Sequence, residues 1–259
     1  MVKRKLEKNF NFQKDNMYNL KFSKFLKSGV HFGHSTSKWN PKINHYLLMQ
    51  KKGIHIIDLY KTKKKIYSSC LFLKKITASG KIVLFVGTKE QAKKIIAYYA
   101  NNINMPYINE RWIGGLLTNF STIRESIYKM NMIKQNKYSG LYNLISKKER
   151  LLISRLYTKL KKNLGSVRNL NFIPDCIVII DINKEQAAVK EALKLGIPIV
   201  GIVDTNSDPE KMNFPIPAND DNSKSINLIL YYIANAIESG VHLYLSNKKN
   251  THVLVNQQY

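Results

Sequence analysis

Three apolar runs, Ile82–Val86, Ile177–Ile180 and Ile197–Val203, constrain this chain more than any other feature. None alternates with polar residues and all are rich in β-branched side chains, so each reads as a strand buried on both faces. Strands of that kind belong in a parallel sheet covered by helices. The first run ends at Gly87 and leads into a helix expected over Lys89–Tyr99. The second precedes a helix from Lys184 to Leu195, and the third ends at an Asp204–Asp208 turn. Pro106–Ile108 is a further short strand and Pro215–Ala218 an edge strand. Ser223–Tyr244 is a long closing helix, its Ile226, Ile229, Ile233 and Ile237 recurring at helical spacing. A three-layer α/β fold follows.

Residues 118–170 exceed what a strand–helix–strand crossover needs. Phe120, Ile123, Ile127 and Met130 form one narrow apolar seam, and Ile153, Leu156, Leu160, Leu164 and Val167 form another. Between them lies a turn, Tyr138–Ile145, with Gly140, followed by Ser146 and Glu149 in the capping-box pattern that starts a helix. The segment predicts an antiparallel coiled-coil hairpin projecting from the sheet. The domain division expected is therefore a flexible basic arm over 1–19, an α/β domain over 20–117 and 171–244, the hairpin over 118–170, and a flexible tail over 245–259.

Charge narrows the function. Against 42 Lys and Arg stand 17 Asp and Glu, a formal net charge of +25, which implies a polyanionic partner. Residues 1–28 hold eight basic and two acidic residues and residues 121–170 twelve and two, whereas residues 175–240 hold five and ten. The phosphate-facing surface is thus expected on the arm and the central segment. No stretch approaches the roughly 20 apolar residues of a membrane-spanning helix, so no membrane partner is expected. Residues 1–19 lack an apolar core and contain Glu7 and Asp15, unlike a secretory signal or an acid-free transit peptide. Cys70 and Cys176 lie far apart without CxxC spacing, which fits a reducing cytoplasm. Only six basic residues are Arg, and Asn occurs 27 times. That bias fits an AT-rich genome and weakens arguments from any single Lys or Asn.

Several patterns invite chemistry. His31 and His34, with His45 and His55 downstream, suggest zinc, but there is no HExxH, no third ligand at a usual spacing and no nearby Cys. No metal and no cofactor are expected. Asp204, Asp208, Asp220 and Asp221 follow strands at the end of the sheet where α/β folds bind ligands, yet each sits in a turn context that Asx side chains serve structurally. Gly87-Thr-Lys89 resembles part of a phosphate loop, but Ile82 stands where the preceding glycine is required. An enzyme and a small-molecule substrate are therefore disfavoured; a protein-interaction module remains the other alternative. More informative are Lys38-Trp39-Asn40-Pro41-Lys42, Lys51-Lys52 and Glu110-Arg111-Trp112-Ile113-Gly114-Gly115 running on to Thr118-Asn119. Their cations suit phosphates and their aromatic rings suit either base stacking or core packing.

Together these blocks resemble the small-subunit ribosomal protein family called S-two, in its bacterial form. The resemblance runs in order through Gly29-Val-His-Phe-Gly-His34, Trp39-Asn-Pro-Lys42, Gly53-Ile-His-Ile-Ile-Asp-Leu59, Phe85-Val-Gly-Thr-Lys89, Arg111-Trp112 with Gly114-Gly115 and Thr118-Asn-Phe120, Asp204-Thr-Asn-Ser-Asp-Pro209, and Ile216-Pro-Ala-Asn-Asp-Asp221. It implies a flavodoxin-like α/β/α domain with a coiled-coil insertion and no catalysis. The implied partners are small-subunit rRNA and neighbouring ribosomal proteins, including the mRNA-binding one called S-one in organisms that have it. The expected RNA-binding residues are His31, His34, Lys38, Trp39, Lys42, Lys51, Lys52, Arg111, Trp112, Asn119, Arg124, Lys129, Lys147, Lys148 and Arg155. The expected location is the bacterial cytoplasm, with the plastid stroma as the alternative. The basic start and the Leu245–Tyr259 end depart from the family's usual termini.

Overall fold

The computed structural model describes residues 21–138 and 145–256. The basic arm expected over 1–19 and the turn around Gly140 lie outside the described residues.

All three constraining runs become adjacent strands of one parallel sheet. Val83–Val86 (β4) pairs with Cys176–Ile180 (β6), which pairs with Ile199–Val203 (β7). Tyr107–Ile108 (β5) closes one edge beside β4, and Phe214–Pro217 (β8) the other beside β7. The spatial order β5-β4-β6-β7-β8 is the 2-1-3-4-5 order of the flavodoxin-like fold. Two prolines in β8 are tolerated because an edge strand has one side without ladder partners.

Side chains alternate across this sheet and are sealed on both faces. Val83, Phe85, Val178, Ile180, Val200 and Ile202 face a layer made by helices Leu59–Ala78 (α2), Glu90–Asn102 (α3) and Ser223–Asn256 (α7). Leu84, Val86, Ile177, Ile179 and Ile199 face helix Gln186–Lys194 (α6), Trp112, Leu116 and Leu117, and the base of a helical pair. That pair is Phe120–Tyr138 (α4) and Lys147–Leu164 (α5). Their contacts run in opposite directions. Lys137 lies 4.9 Å from the Tyr157 ring centre near one end, and Arg124 reaches Leu170 and Asn171 near the other. Ser146 and Glu149 cap α5 reciprocally, as their spacing requires.

Where sequence and structure differ, local geometry explains why. Leu156, expected in the second seam, is exposed; Tyr157 packs there instead, giving Ile153, Tyr157, Leu160, Leu164 and Val167 at alternating spacings of four and three. The closing helix does not stop at Tyr244 but continues to Asn256 through the expected tail. No Gly or Pro follows Gly240, and extending a formed helix is easier than starting one.

A second sheet went unread in the sequence. After helix Phe22–Lys27 (α1), strands Phe32–Ser35 (β1), Leu47–Lys51 (β2) and Ile54–Ile57 (β3) form an antiparallel sheet in the order β1-β3-β2. The β2–β3 turn is Lys52-Gly53, with φ of 50° and 74°. Positive φ at both residues is a type I′ requirement usually met by Asn-Gly, and lysine there hides the hairpin.

Helices α2 and α7 are in close contact at Gly240. A Cβ there would stand 2.0 Å from Thr77 Oγ1 and 2.5 Å from the Lys74 carbonyl oxygen. Gly240→Ala therefore forces the helices apart. We expect a loss of about 1–3 kcal/mol, measured as a lower denaturant midpoint with an unchanged slope.

Candidate functional site: a polar cluster and an exposed cationic surface

The carboxyl ends of the parallel strands converge on a cluster of titratable side chains. Lys89, just past β4, places Nζ 3.2 Å from Asp181, 2.7 Å from Asp220 and 2.6 Å from Asp221. Burial alone would lower its pKa, but the Asp220 and Asp221 carboxylates hold it above the ordinary lysine value. Asp220 is 1% exposed. Its burial, with Asp204 and Asp181 nearby, outweighs the ammonium and pushes its carboxyl up to about 7.

His34 joins the same cluster from β1. Its Nδ1 lies 3.2 Å from Asp204 Oδ2 and its Nε2 3.2 Å from Asp221 Oδ2, and the Asp204 carboxylate holds the imidazole above the usual histidine range. The backbone places it there. Its N–H donates to Thr205 Oγ1 (2.8 Å), while Asn40 N–H donates to the Thr205 carbonyl (2.8 Å) and Asn219 N–H to the Val30 carbonyl (3.1 Å). Gly33 permits this approach, since a Cβ would lie 2.3 Å from Thr205 Cγ2. Blocks distant in sequence thus form one clamp joining the small sheet to the large one.

The groups a bound phosphate would use at Gly87-Thr-Lys89 are engaged internally. Gly87 N–H donates to the Ile108 carbonyl (3.0 Å), Thr88 N–H to Glu185 Oε1 (2.7 Å), and the Lys89 ammonium to the aspartates. Gly87 itself serves packing, because a Cβ would meet Ile96 Cδ1 at 2.4 Å.

Glu191, on α6, organises the Arg111–Asn119 loop. One oxygen accepts from Trp112 Nε1 (2.9 Å) and Gly115 N–H (2.9 Å); the other accepts from Leu117 N–H (3.0 Å), Thr118 N–H (3.2 Å) and Thr118 Oγ1 (3.2 Å). Gly115 adopts φ +83° to turn its N–H inward. Burial would raise the Glu191 carboxyl, but these donors overcome it and hold the group below the ordinary glutamate value.

Residues 25–240 match the sequence profile of the family described as ribosomal protein S2. This chain belongs to that family. It is 59% identical to small ribosomal subunit protein uS2 of Karelsulcia muelleri over 221 residues, covering 85% of this chain and 99% of the relative. The uS2 protein of Flavobacterium johnsoniae is 51% identical over 222 residues, covering 86% and 87%. That of Bacteroides fragilis is 50% identical over 220 residues, covering 85% and 79%.

Within this S2-family fold the residues expected to meet RNA separate into two groups. Some are engaged internally. Trp112 is 8% exposed and bonded to Glu191, which places its ring in the core. Trp39 is half-buried against His55, ring centres 5.0 Å apart, and His31 is half-buried against Phe32. His34 sits in the cluster, Lys42 pairs with Asp208 and Glu210, and Asn119 Oδ1 accepts from Thr122 Oγ1 at the start of α4. Arg124 donates to the Leu170 carbonyl and Asn171.

The others, Lys38, Lys51, Lys52, Arg111, Lys129, Lys147, Lys148 and Arg155, are exposed. Among the described residues none of these eight forms an ion pair. They do not form one patch by sequence, since they come from the small sheet, the Arg111 loop and both helices of the pair. Asp181, Glu185 and Glu191 were not singled out from sequence for a role, and Lys89 only as the end of a broken phosphate-loop pattern. Lys89 and Glu191 bind partners 131 and up to 79 positions away, a distance no local spacing signals.

Replacing Glu191 by Gln leaves at least two of its five donors facing an amide NH2. We expect a loss of about 1–3 kcal/mol and faster hydrogen exchange at Gly115 and Leu117. Because the folded-state carboxyl lies below its unfolded value, its contribution is complete above about pH 4.3 and disappears as pH falls through the lower folded value. Glu191→Gln should therefore flatten the acid limb of a stability-against-pH curve.

Proposed function

We propose that this chain is a structural constituent of the small ribosomal subunit of a bacterium, working in the cytoplasm and binding rRNA without catalysing a reaction. What supports the reading most is the set of exposed, unpaired cations on a chain whose relatives are small-subunit proteins. Cations without carboxylate partners are free to neutralise phosphates. In this reading residues 20–117 and 171–244 form the platform and residues 118–170 a projecting arm.

A groove of about 1000 Å³ at the base of that arm adds a second contact region. Lys134, Lys161 and Arg168 line it beside Tyr107 and Tyr157, a combination that suits unpaired nucleotides, with phosphates on the cations and bases on the rings. Among the described residues no helix is long and apolar enough to cross a membrane.

Protein neighbours, including S-one where present, would meet a different surface. Phe32 and Met49 both lie opposite Ile56 across the small sheet, and Ile54 shares that face two residues away. Phe32, Met49 and Ile54 are 46%, 54% and 39% exposed. Met49→Asp with Ile54→Asp should reduce co-purification of neighbouring small-subunit proteins several-fold while leaving RNA crosslinks in place. An unchanged protein complement would remove this face from consideration.

The decisive test of RNA binding is ultraviolet crosslinking in the native cell, followed by sequencing of the attached RNA. We expect small-subunit rRNA joined to peptides from residues 30–60, 105–125 and the helical pair. Joint replacement of Lys38, Lys51, Lys52 and Arg111 by Ala should weaken incorporation into subunits and lower the slope of log affinity against log salt by about 0.7–0.9 per lost phosphate contact. Replacing Lys190 and Lys194 in the acidic third should leave both unchanged. Crosslinks to dispersed RNA, or to none, would refute the rRNA assignment.

A further inference from the structure

The small sheet has one open edge. Its order is β1-β3-β2, and the backbone of edge strand β1 is tied to the turn after β7, where His34 N–H donates to Thr205 Oγ1 (2.8 Å). Strand β2 has no such tie. Every residue from Leu48 to Lys51 is exposed, and among the described residues the backbone of this stretch hydrogen-bonds only to β3. The stretch contains no proline and a single charge, Lys51, so it keeps the row of free donors and acceptors that recruits another strand. Leu48 and Met49 are 61% and 54% exposed.

We propose that residues Asn9–Gln13 of this chain's own N-terminal arm add to β2 as a fourth, antiparallel strand. Asn9-Phe10-Asn11-Phe12-Gln13 alternates polar and apolar residues between Lys8 and Lys14, the period of a strand with one apolar face. The outer face of the small sheet offers that face its partners, since Phe32, Met49 and Ile54 all lie there exposed. Pairing with Phe12 opposite Met49 sets Phe10 opposite Lys51 and carries Lys8 past the end of β2. The alternative with Phe10 opposite Met49 sets Lys8 against Lys51, and like charges directly opposite are unfavourable.

The start of the described chain puts this edge within reach. Phe22 packs on Tyr60 with ring centres 4.5 Å apart. Next to Tyr60, Lys61 Nζ donates to the His45 carbonyl (2.6 Å), and Asp58 N–H donates to the Tyr46 carbonyl (2.9 Å). Helix α1 therefore begins near the Leu47 end of β2, and residues 14–20 span at most about 23–25 Å. An antiparallel strand delivers Gln13 to that end; a parallel one delivers it to Lys51 and adds the length of β2 to the link. The antiparallel strand also brings Lys3, Arg4, Lys5 and Lys8 to the Lys52-Gly53 turn. What this does for function rests on the rRNA reading above: the arm's charge joins Lys51 and Lys52 in one phosphate-facing patch. The pairing itself needs no RNA, and Phe10 and Phe12 widen the outer face without covering it.

The test is amide hydrogen exchange on the full chain in the absence of RNA, so that failure of the strand and failure of the rRNA reading are separate results. Amides of Leu48–Lys51 should exchange about tenfold more slowly in the full chain than in one lacking residues 1–13. Phe10→Asp with Phe12→Asp, which leaves the family-matched region untouched, should remove that protection, and Asn9→Ser with Asn11→Ser should retain it. Asn11→Cys with Gln50→Cys should close a disulfide under mild oxidation, since Cys70 and Cys176 are buried; Asn11→Cys with Lys194→Cys, on α6, should not. Equal exchange of β2 with and without the arm would overturn the pairing. Protection that survives the deletion and rises with protein concentration would overturn it too, by assigning the edge to a second copy, as would protection found only in assembled subunits, by assigning it to a neighbouring protein.

Discussion

The ammonium of Lys89 is the interaction on which the arrangement of this molecule most depends. It links the end of β4 to Asp181 after β6 and to Asp220 and Asp221 after β8. Through Asp221 and Asp204 the linkage extends to His34 on β1. Removing one member of a half-buried ionic set leaves the others uncompensated, which costs far more than a surface pair. In flavodoxin-like folds the crevice beside the strand-order reversal is where ligands bind. Here the chain's own lysine and aspartates occupy it, and the same groups fasten the N-terminal sheet to the parallel sheet. A crevice spent on internal ties presents no ready phosphate cradle, which agrees with the broken phosphate-loop spacing at Ile82.

The parallel sheet was legible because its signal is dense. Runs of β-branched residues with no polar alternation admit few alternatives, and the closing helix showed its four isoleucines at helical spacing. All four are fully buried. The small sheet was not legible, because its strands are short, carry polar residues and turn on Lys52-Gly53. Helix α2 was missed for a related reason: lysines crowd it and its buried face includes Thr62, Ser69 and Thr77, which do not read as core. Thr77 belongs there because its hydroxyl bonds the Leu73 and Ile237 carbonyls where α2 meets α7.

The Arg111–Asn119 loop shows the limit more sharply. From sequence, its Trp and paired glycines suited either RNA contact or packing. In the fold one glutamate takes Trp112, Gly115, Leu117 and Thr118 as donors, so most of the block's unusual composition serves a structural purpose. Arg111 escapes it and stays exposed. A motif can therefore contain both a scaffold and a contact residue, and only side-chain placement separates them.

The same separation accounts for the uneven charge. The acidic character of residues 175–240 suggests a negative surface, yet each of its ten carboxylates has a partner within the fold. Asp175 accepts from Ile82 N–H, Asp181, Asp220 and Asp221 hold Lys89, and Glu185 and Glu191 hold loop backbone. Asp204 takes Thr205 N–H and Asp220 N–H, Asp208 and Glu210 take Lys42, and Glu238 lies beside His242. Carboxylates already paired within the fold are less available to screen cations elsewhere on the surface. Lys38, Lys51, Lys52, Arg111, Lys129, Lys147, Lys148 and Arg155 are exposed and form no ion pair among the described residues, so much of the formal charge of +25 becomes an outward field suited to a polyanion.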